Sequence, residues 1–237
     1  APAIPHPAGS VAAGAVIAGD LLLIPAYQAE RWIAGVLAGV RSVAPDLEVL
    51  VVDDGSRDGT SVSARGAGAE VVRHPINQGK GAALRTGFAE ALARGARGVL
   101  TMDADGQHPP ACLPAFLEAS RRADLVLGCR MLPGEVRKMP WLRRQTNRTM
   151  SRVLSGLART PIKDTQCGYR WISARILREV PLRSANYELE SEILIRAGRA
   201  GFRISEVTIP AVYAGEASHI RKGRDTVRFL KLVAGFV

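Results

Sequence analysis

The chain has 237 residues, 47% hydrophobic and 23% charged, enough apolar mass for one large domain without a disulfide staple. Its three cysteines, Cys112, Cys129 and Cys167, are widely spaced and form no CxxC pair, which argues against a disulfide framework or structural zinc and for a reducing, cytoplasmic setting. The net charge of +10 is uneven, with −2 in residues 1–129 and +12 in residues 130–237, so the second half suits an anionic partner.

Nucleic acid is disfavoured as that partner. Aromatic residues make up 5% of the chain and do not interleave with the basic ones, and no zinc-finger or RNP motif is present. Residues 1–19 are rich in Ala, Gly and Pro and are expected to form a poorly ordered extension. They contain no Lys or Arg and so lack the basic start of a secretory signal. No apolar run is long enough to predict a transmembrane helix.

Leu21–Ile24 reads as a buried strand, and Trp32, Ile33, Val36, Leu37 and Val40 then follow helical spacing. Glu48–Val52 is a second strand, ending in Asp53-Asp54-Gly55-Ser56. A short helix over 59–66, a strand over 70–72 and a helix over 79–94 come next. Gly98–Met102 is a fourth strand, ending in Asp103-Ala104-Asp105, and Pro109 and Pro110 open another helix. Asp124–Gly128 is a fifth strand. This alternation predicts βαβ units and a mostly parallel sheet. Polar clusters at 25–30, 53–58, 103–107 and 128–130 all follow strands, on the edge where such sheets bind ligands. Beyond residue 130 the pattern predicts a basic amphipathic helix over 141–158, a polar loop over 164–170 and a helix over 187–200. One or two strands are expected within 202–213 and an amphipathic helix over 225–237. That last helix suits a membrane interface, the sheet, or a partner's membrane helix.

Asp103 and Asp105 can project into one crevice. A hard divalent cation takes oxygen ligands, and Mg²⁺ commonly binds one or two carboxylates plus substrate phosphates. Asn77-Gln78-Gly79-Lys80-Gly81 opens a helix, where free N–H groups and the dipole favour an anion and Lys80 adds charge. The segment is neither a Walker A loop nor a GxGxxG fingerprint.

Four segments in order, Pro25–Glu30, Val51–Thr60, Asn77–Ala82 and Met102–Pro110, resemble family 2 glycosyltransferases of the GT-A fold, an α/β fold with a mostly parallel central sheet. Gly128-Cys129-Arg130, Asp164–Arg170, Glu190-Ser191-Glu192 and Ser218–Arg221 resemble the polyprenyl-phosphate branch, similar to dolichol-phosphate mannose synthases. Gln28, Cys167 and Tyr169 depart from the usual Asn, Ser and Phe.

The resemblance implies one catalytic domain over 20–237. Residues 20–129 would bind a nucleotide-sugar donor, 130–224 the acceptor, and 225–237 form the C-terminal amphipathic helix. It implies inverting transfer of a hexose from a UDP- or GDP-linked donor to a polyprenyl phosphate, with Mg²⁺ or Mn²⁺ as cofactor. Pro25, Tyr27 and Glu30 then hold the nucleoside, Asp53 reads the base edge beside Asp54, and Lys80 lies near the diphosphate. Asp103 and Asp105 bind the metal, and Gln107 lies near metal and sugar. Arg130 holds the acceptor phosphate, with Arg144 and Arg170 as further candidates.

His219 is a candidate to reach the metal from a basic segment, 214–224, that could close as a lid. Asp164 and Glu190 are candidate general bases for a hydroxyl acceptor. A lipid phosphate is already anionic and needs cationic positioning, which suits arginine. The expected setting is peripheral, at the cytoplasmic face of a membrane, directly or through a small membrane-protein partner. A polysaccharide or soluble hydroxyl acceptor, and a nucleotidyltransferase, are the alternatives.

Overall fold

The computed structural model describes residues 19–131, 136, 139–184, 186–211, 229 and 232–236. The strands are β1 (Asp20–Ala26), β2 (Glu48–Asp53), β3 (Glu70–Arg73), β4 (Gly98–Thr101), β5 (Leu125–Cys129), β6 (Arg170–Ser173) and β7 (Ile204–Thr208). They form one sheet in the order β3-β2-β1-β4-β6-β5-β7. Neighbours run parallel except at β6, which is antiparallel to both β4 and β5. The helices are α1 (Glu30–Val43), α2 (Thr60–Gly66), α3 (Lys80–Ala93), α4 (Leu113–Ala119), α5 (Trp141–Ala158), α6 (Ala174–Glu179) and α7 (Glu188–Arg199).

The apolar runs of β1 and β2 are buried because helices cover both faces of the sheet. Alternate residues sort between two cores. Leu22 and Ile24 face Ile33, Val36, Leu37 and Val40 of α1, with Phe116 of α4 in the same cluster. Leu21 and Leu23 face Leu84 and Phe88 of α3, with Ile193 and Leu194 of α7. Gly87 lets α3 lie this close, since a Cβ there would stand 2.2 Å from Leu23 Cδ1.

Strand register gathers the site. Ala26 pairs with Asp53, so β1 and β2 end together. Thr101, which ends β4, pairs with Arg170, which begins the antiparallel β6. The loop before β6 therefore arrives at the same edge as the carboxyl ends of β1, β2, β4 and β5.

One expectation is corrected and two are refined. Arg170 ends the expected loop as the first residue of a central strand, because its segment pairs with β4 and β5 on both sides. Pro110 opens a 3₁₀ turn, Pro110–Cys112, ahead of α4. Within 202–211 one strand forms, β7, paired with β5. At the C-terminus, Phe229, Leu232 and Phe236 pack against the α3/α7 core, and the Phe236 ring lies 5.1 and 5.2 Å from the Arg196 and Arg199 guanidinium carbons. Residues 1–18 and 212–228, including the expected extension, the 214–224 lid and His219, lie outside the described residues.

Candidate active site

The loops after β1 and β2 are tied by backbone hydrogen bonds. Asp54 N–H donates to Ala26 O (2.8 Å), Gln28 N–H to Ser56 Oγ (2.9 Å) and Ala29 N–H to Thr60 Oγ1 (2.8 Å). Glu30 N–H donates to Asp58 Oδ2 (3.2 Å), and Glu30 Oε2 accepts from Gly59 N–H (2.9 Å). Gly55 has φ +73°, and a Cβ there would stand 2.4 Å from the Ile76 carbonyl carbon. Only glycine permits both the conformation and the approach. Pro25 lies near the end of β1, and the exposed Tyr27 on the loop that follows.

Asp53 stands at the expected strand end, but its carboxylate has no exposed surface. It accepts from Ser56 N–H (2.9 Å) and the Ser61 hydroxyl, and so shapes the loop. As placed, the carboxylate is turned into the loop that carries Ser56 and Ser61. Asp54 accepts from Gln78 N–H (2.9 Å) and Gly79 N–H (2.7 Å) and meets His74 Nδ1 at 2.7 Å. It holds the turn that launches α3.

Lys80, the first residue of α3, lies between two acids from distant segments. Its Nζ is 2.7 Å from Asp103 Oδ1 and 3.2 Å from Glu190 Oε2. Burial pulls the ammonium down, but Asp103 and Glu190 outweigh it and raise the pKa, so Lys80 is charged. Burial likewise pushes Asp103 up, and Lys80 outweighs it, bringing the carboxyl down to about 2. Gly168 has no side chain to intrude: a Cβ would stand 2.9 Å from Asp103 Oδ2 and 3.1 Å from Lys80 Nζ. Glu190 Oε1 is buried with no hydrogen-bond partner among the described residues.

Asp105 Oδ1 accepts from Gln107 N–H at 2.9 Å, which orients that acid. His108 is buried, and its Nδ1 lies 3.1 Å from the Asp103 N–H that donates to it. This bond assigns the ring proton to Nε2. Burial lowers the His108 pKa despite Asp103 and keeps the ring neutral. The ring stacks on Tyr169 at 5.1 Å, and Tyr169 stacks on Phe116 at 4.3 Å.

Arg130 directly follows β5 and forms a two-pronged contact with Asp164, Nε–Oδ2 at 2.8 Å and Nη2–Oδ1 at 3.1 Å. Asp164 is fully buried and also accepts from Asn147 Nδ2 of α5 (2.9 Å). Burial pushes its carboxyl up, but the Arg130 guanidinium outweighs this and holds it low. Asp164 is placed as the counter-ion of Arg130. Arg170 is 2% exposed and donates to the carbonyls of Thr165 (2.8 Å), Cys167 (2.8 Å) and Glu190 (2.6 Å). It is closed to an acceptor phosphate and braces the loop that brings Gly168 to Asp103. Arg144 on α5 is half-buried, with its Nε buried and without a partner among the described residues.

The structure thus brings together Lys80, Asp103, Asp105, Gln107 and Glu190, with Gly168 and His108 beside them. In the sequence Glu190 stands out as an alternative base and within the Glu190-Ser191-Glu192 motif, whereas Gly168 and His108 have no role of their own. The signals available were the histidine just after the acid pair and the glycine inside the 164–170 motif. The oxygen donors of Asp103 and Asp105, with room preserved by Gly168, fit a hard divalent cation. No cluster of three His, Cys, Asp or Glu suited to a metal occurs among the described residues. Such a cation would complete its shell with substrate phosphate and water.

Known proteins resemble this chain in sequence and in fold. Undecaprenyl-phosphate mannosyltransferase of Micrococcus luteus is 37% identical over 204 residues, 81% of this chain and 83% of that protein. Polyprenol monophosphomannose synthase of Mycolicibacterium smegmatis is 35% identical over 203 residues, 80% and 76% of the two chains. Dolichyl-phosphate hexose transferase of Haloferax volcanii is 34% identical over 185 residues, 78% of each. The fold matches glucosyl-3-phosphoglycerate synthase from Mycobacterium tuberculosis, solved with Mn²⁺ and UDP-glucose, with a TM-score of 0.71 at 22% identity over 91% of this chain and 79% of that one. Residues 22–181, more than half the chain, match the Glycosyl transferase family 2 model. With its acid pair and launching lysine on the carboxyl edge of a GT-A sheet, the chain belongs to glycosyl transferase family 2.

Proposed function

We propose that the enzyme is an inverting, metal-dependent glycosyltransferase that moves a hexose from a UDP- or GDP-linked donor to a polyprenyl phosphate. One observation carries the acceptor class: the cation Arg130 is locked by the buried Asp164 beside the sheet edge that holds Asp103, while Asp164 itself is committed as a counter-ion. A phosphate acceptor needs a placed cation and no base, and a guanidinium suits phosphate geometry. The names of the relatives support the same acceptor.

Asp103 and Asp105 are the residues that would hold Mg²⁺ or Mn²⁺. A bound cation would offset the charge that develops on the leaving diphosphate. Lys80, kept charged at the start of α3, acts on the same group, together with the N–H groups of the helix start. Asp105 is oriented by Gln107 N–H, and Asp103 by Lys80 and the His108 brace. Tyr27, Pro25 and Glu30 form the nucleoside side, on loops that Asp53 and Asp54 stiffen. Arg130 aligns the lipid phosphate, with Arg144 as a second cation, and Asp164 fixes the guanidinium plane.

The membrane contact belongs to the same reading. At the start of α5, Trp141 and Leu142 are 64% and 70% exposed, and Arg143, Arg148 and Arg152 are exposed along the helix. An aromatic and an aliphatic side chain flanked by arginines suit an anionic lipid interface. Asn147 links this helix to Asp164 and so to Arg130. No described helix is long and apolar enough to cross a membrane.

A second reading has one observation in its favour. The unpartnered Glu190 Oε1, beside Lys80 and Asp103, could take a proton from a hydroxyl acceptor. One assay separates the two: transfer from UDP- and GDP-sugars to a short polyprenyl phosphate or to soluble sugars, with Mn²⁺, Mg²⁺ or EDTA. Metal-dependent formation of a lipid-linked sugar is expected, falling on the order of 100-fold or more in Asp105→Ala. Transfer to soluble hydroxyls alone would move the acceptor to the second class, and pyrophosphate release would identify a nucleotidyltransferase.

A further inference from the structure

A cavity of about 390 Å³ lies at the opposite edge of the sheet, where β4 and β5 begin and β6 ends. Four arginines line it, Arg97, Arg175, Arg178 and Arg203, over small residues such as Ala96 and Ala123. No residue of the candidate active site does so. Strand β4 separates the two places: Gly98 starts beside the cavity and Thr101 ends just before Asp103, roughly 13 Å of strand.

Arg97 is held in place from three sides. Its guanidinium lies 4.7 Å from the Trp171 ring, and Nη2 donates to Asp20 Oδ2 (2.5 Å) and Ser120 Oγ (2.7 Å). Its Nε is buried and has no acceptor among the described residues. A buried donor left unmade is costly, and a cationic one more so. The other three arginines are exposed. Arg175 pairs with the exposed Glu179 at 3.0 Å, and Arg203 Nε stands 3.6 Å from Asp124. Both are surface contacts that a better acceptor can displace. Arg178 has no ion-pair partner among the described residues. Set against Asp20, Asp124 and Glu179, the four arginines leave one positive charge uncompensated.

We propose that this cavity is a second anion site, which takes a small soluble phosphorylated molecule: phosphate, diphosphate or a phosphomonoester. The volume suits a small ligand, and guanidinium forks match phosphate oxygens in pairs. A lipid headgroup shares the chemistry. The soluble source follows from the layout of α5, which runs from the exposed Trp141 past Asn147, tied to Asp164, to Ala158, packed on Gly198 near the end of α7. A chain seated on a bilayer through Trp141 turns the cavity to water. This choice of source rests on the membrane reading above; the anion site does not.

The test is calorimetric titration of the full chain with inorganic phosphate and diphosphate at fixed ionic strength. Three proteins are compared: the unmodified chain, Arg178→Gln/Arg203→Gln, and Arg130→Gln. The first pair of side chains is exposed, so the double variant keeps its fold, which its melting temperature checks. Saturable diphosphate binding is expected, weakened about tenfold or more in the double variant and retained in Arg130→Gln. Retention in the double variant, whatever Arg130→Gln does, would place the anion elsewhere, as at Lys80 or Arg130, and overturn the proposal. No saturable binding at millimolar anion would overturn it as well. If phosphatidylglycerol vesicles bind through these arginines while soluble anions do not, the site is a headgroup site and the soluble assignment fails. Sugar transfer is measured separately, so failure here leaves the transferase reading standing.

Discussion

Asp164 and Arg130 illustrate how a motif residue's role depends on what it touches. From sequence, an acid in a polar loop beside a phosphate-binding arginine reads equally as base or partner. Burial and the two-pronged contact decide for partner. Removing one member of a buried pair costs roughly 3–5 kcal/mol, so Asp164→Ala should lower Tm by roughly 6–20 °C and raise the acceptor KM. Scanning calorimetry and a pH–rate profile check this. An unchanged Tm with the acid-side limb of the profile removed would restore the base. Asp103, Asp105 and Lys80 were legible because chemistry and position coincide in short motifs. Arg170 was not, because its partners are carbonyls at 165, 167 and 190, and no side-chain pattern marks a backbone acceptor.

Helices and strands that obey simple periodicity were legible to within a few residues: α1, α3 and α5, and β1, β2, β4 and β5. Strand β6 was not. Four residues, Arg170–Ser173, run straight into α6, and only pairing with β4 and β5 makes them a strand. Close packing of α3 on β1 gives a sharp expectation. Gly87→Val places new carbons where Leu23 already stands, so it should cost at least about 1–3 kcal/mol, seen as a lower urea midpoint with unchanged m. A midpoint equal to that of the unmodified chain would mean the helix can shift freely. At the start of α5 the opposite holds. Trp141→Ala/Leu142→Ala removes exposed side chains and should change stability by less than about 0.5 kcal/mol per site, yet reduce flotation with anionic vesicles. Undiminished flotation would locate the membrane contact elsewhere.

Across the whole molecule, acid stability follows from carboxylates held low. Asp164 is pushed up by burial and held down by Arg130, while Glu192 is pushed up by burial and held down by the Ser184 N–H and Arg196. Both end below their unfolded values. Each contributes stability that is complete above its unfolded pKa, about 4 to 4.5, and is lost as pH falls through the folded value. Unfolding free energy should therefore be level in these two groups above about pH 5 and fall below about pH 4, with a shallower fall in Glu192→Gln. Urea titrations from pH 3 to 7 check this, and a stability unchanged down to pH 3 would contradict it. The basic excess after residue 130 was plain in composition, but its partition was not. Arg170 is committed to internal carbonyls and Arg130 is fixed by Asp164 yet partly exposed, while Arg148, Arg152 and Arg178 face solvent.

Local pattern was enough to read the fold class, the order of the first strands and helices, and the acid pair and lysine at the carboxyl edge. Periodicity and short motifs are local properties that survive without coordinates. The tertiary structure alone decided that Asp53 and Asp164 face inward, that Arg170 braces a loop, and that Glu190 meets Lys80 across 110 positions of chain. It also decided that four arginines from separate segments surround one cavity. Each of these depends on which side chains burial leaves without water, and that is settled only when distant strands share a sheet.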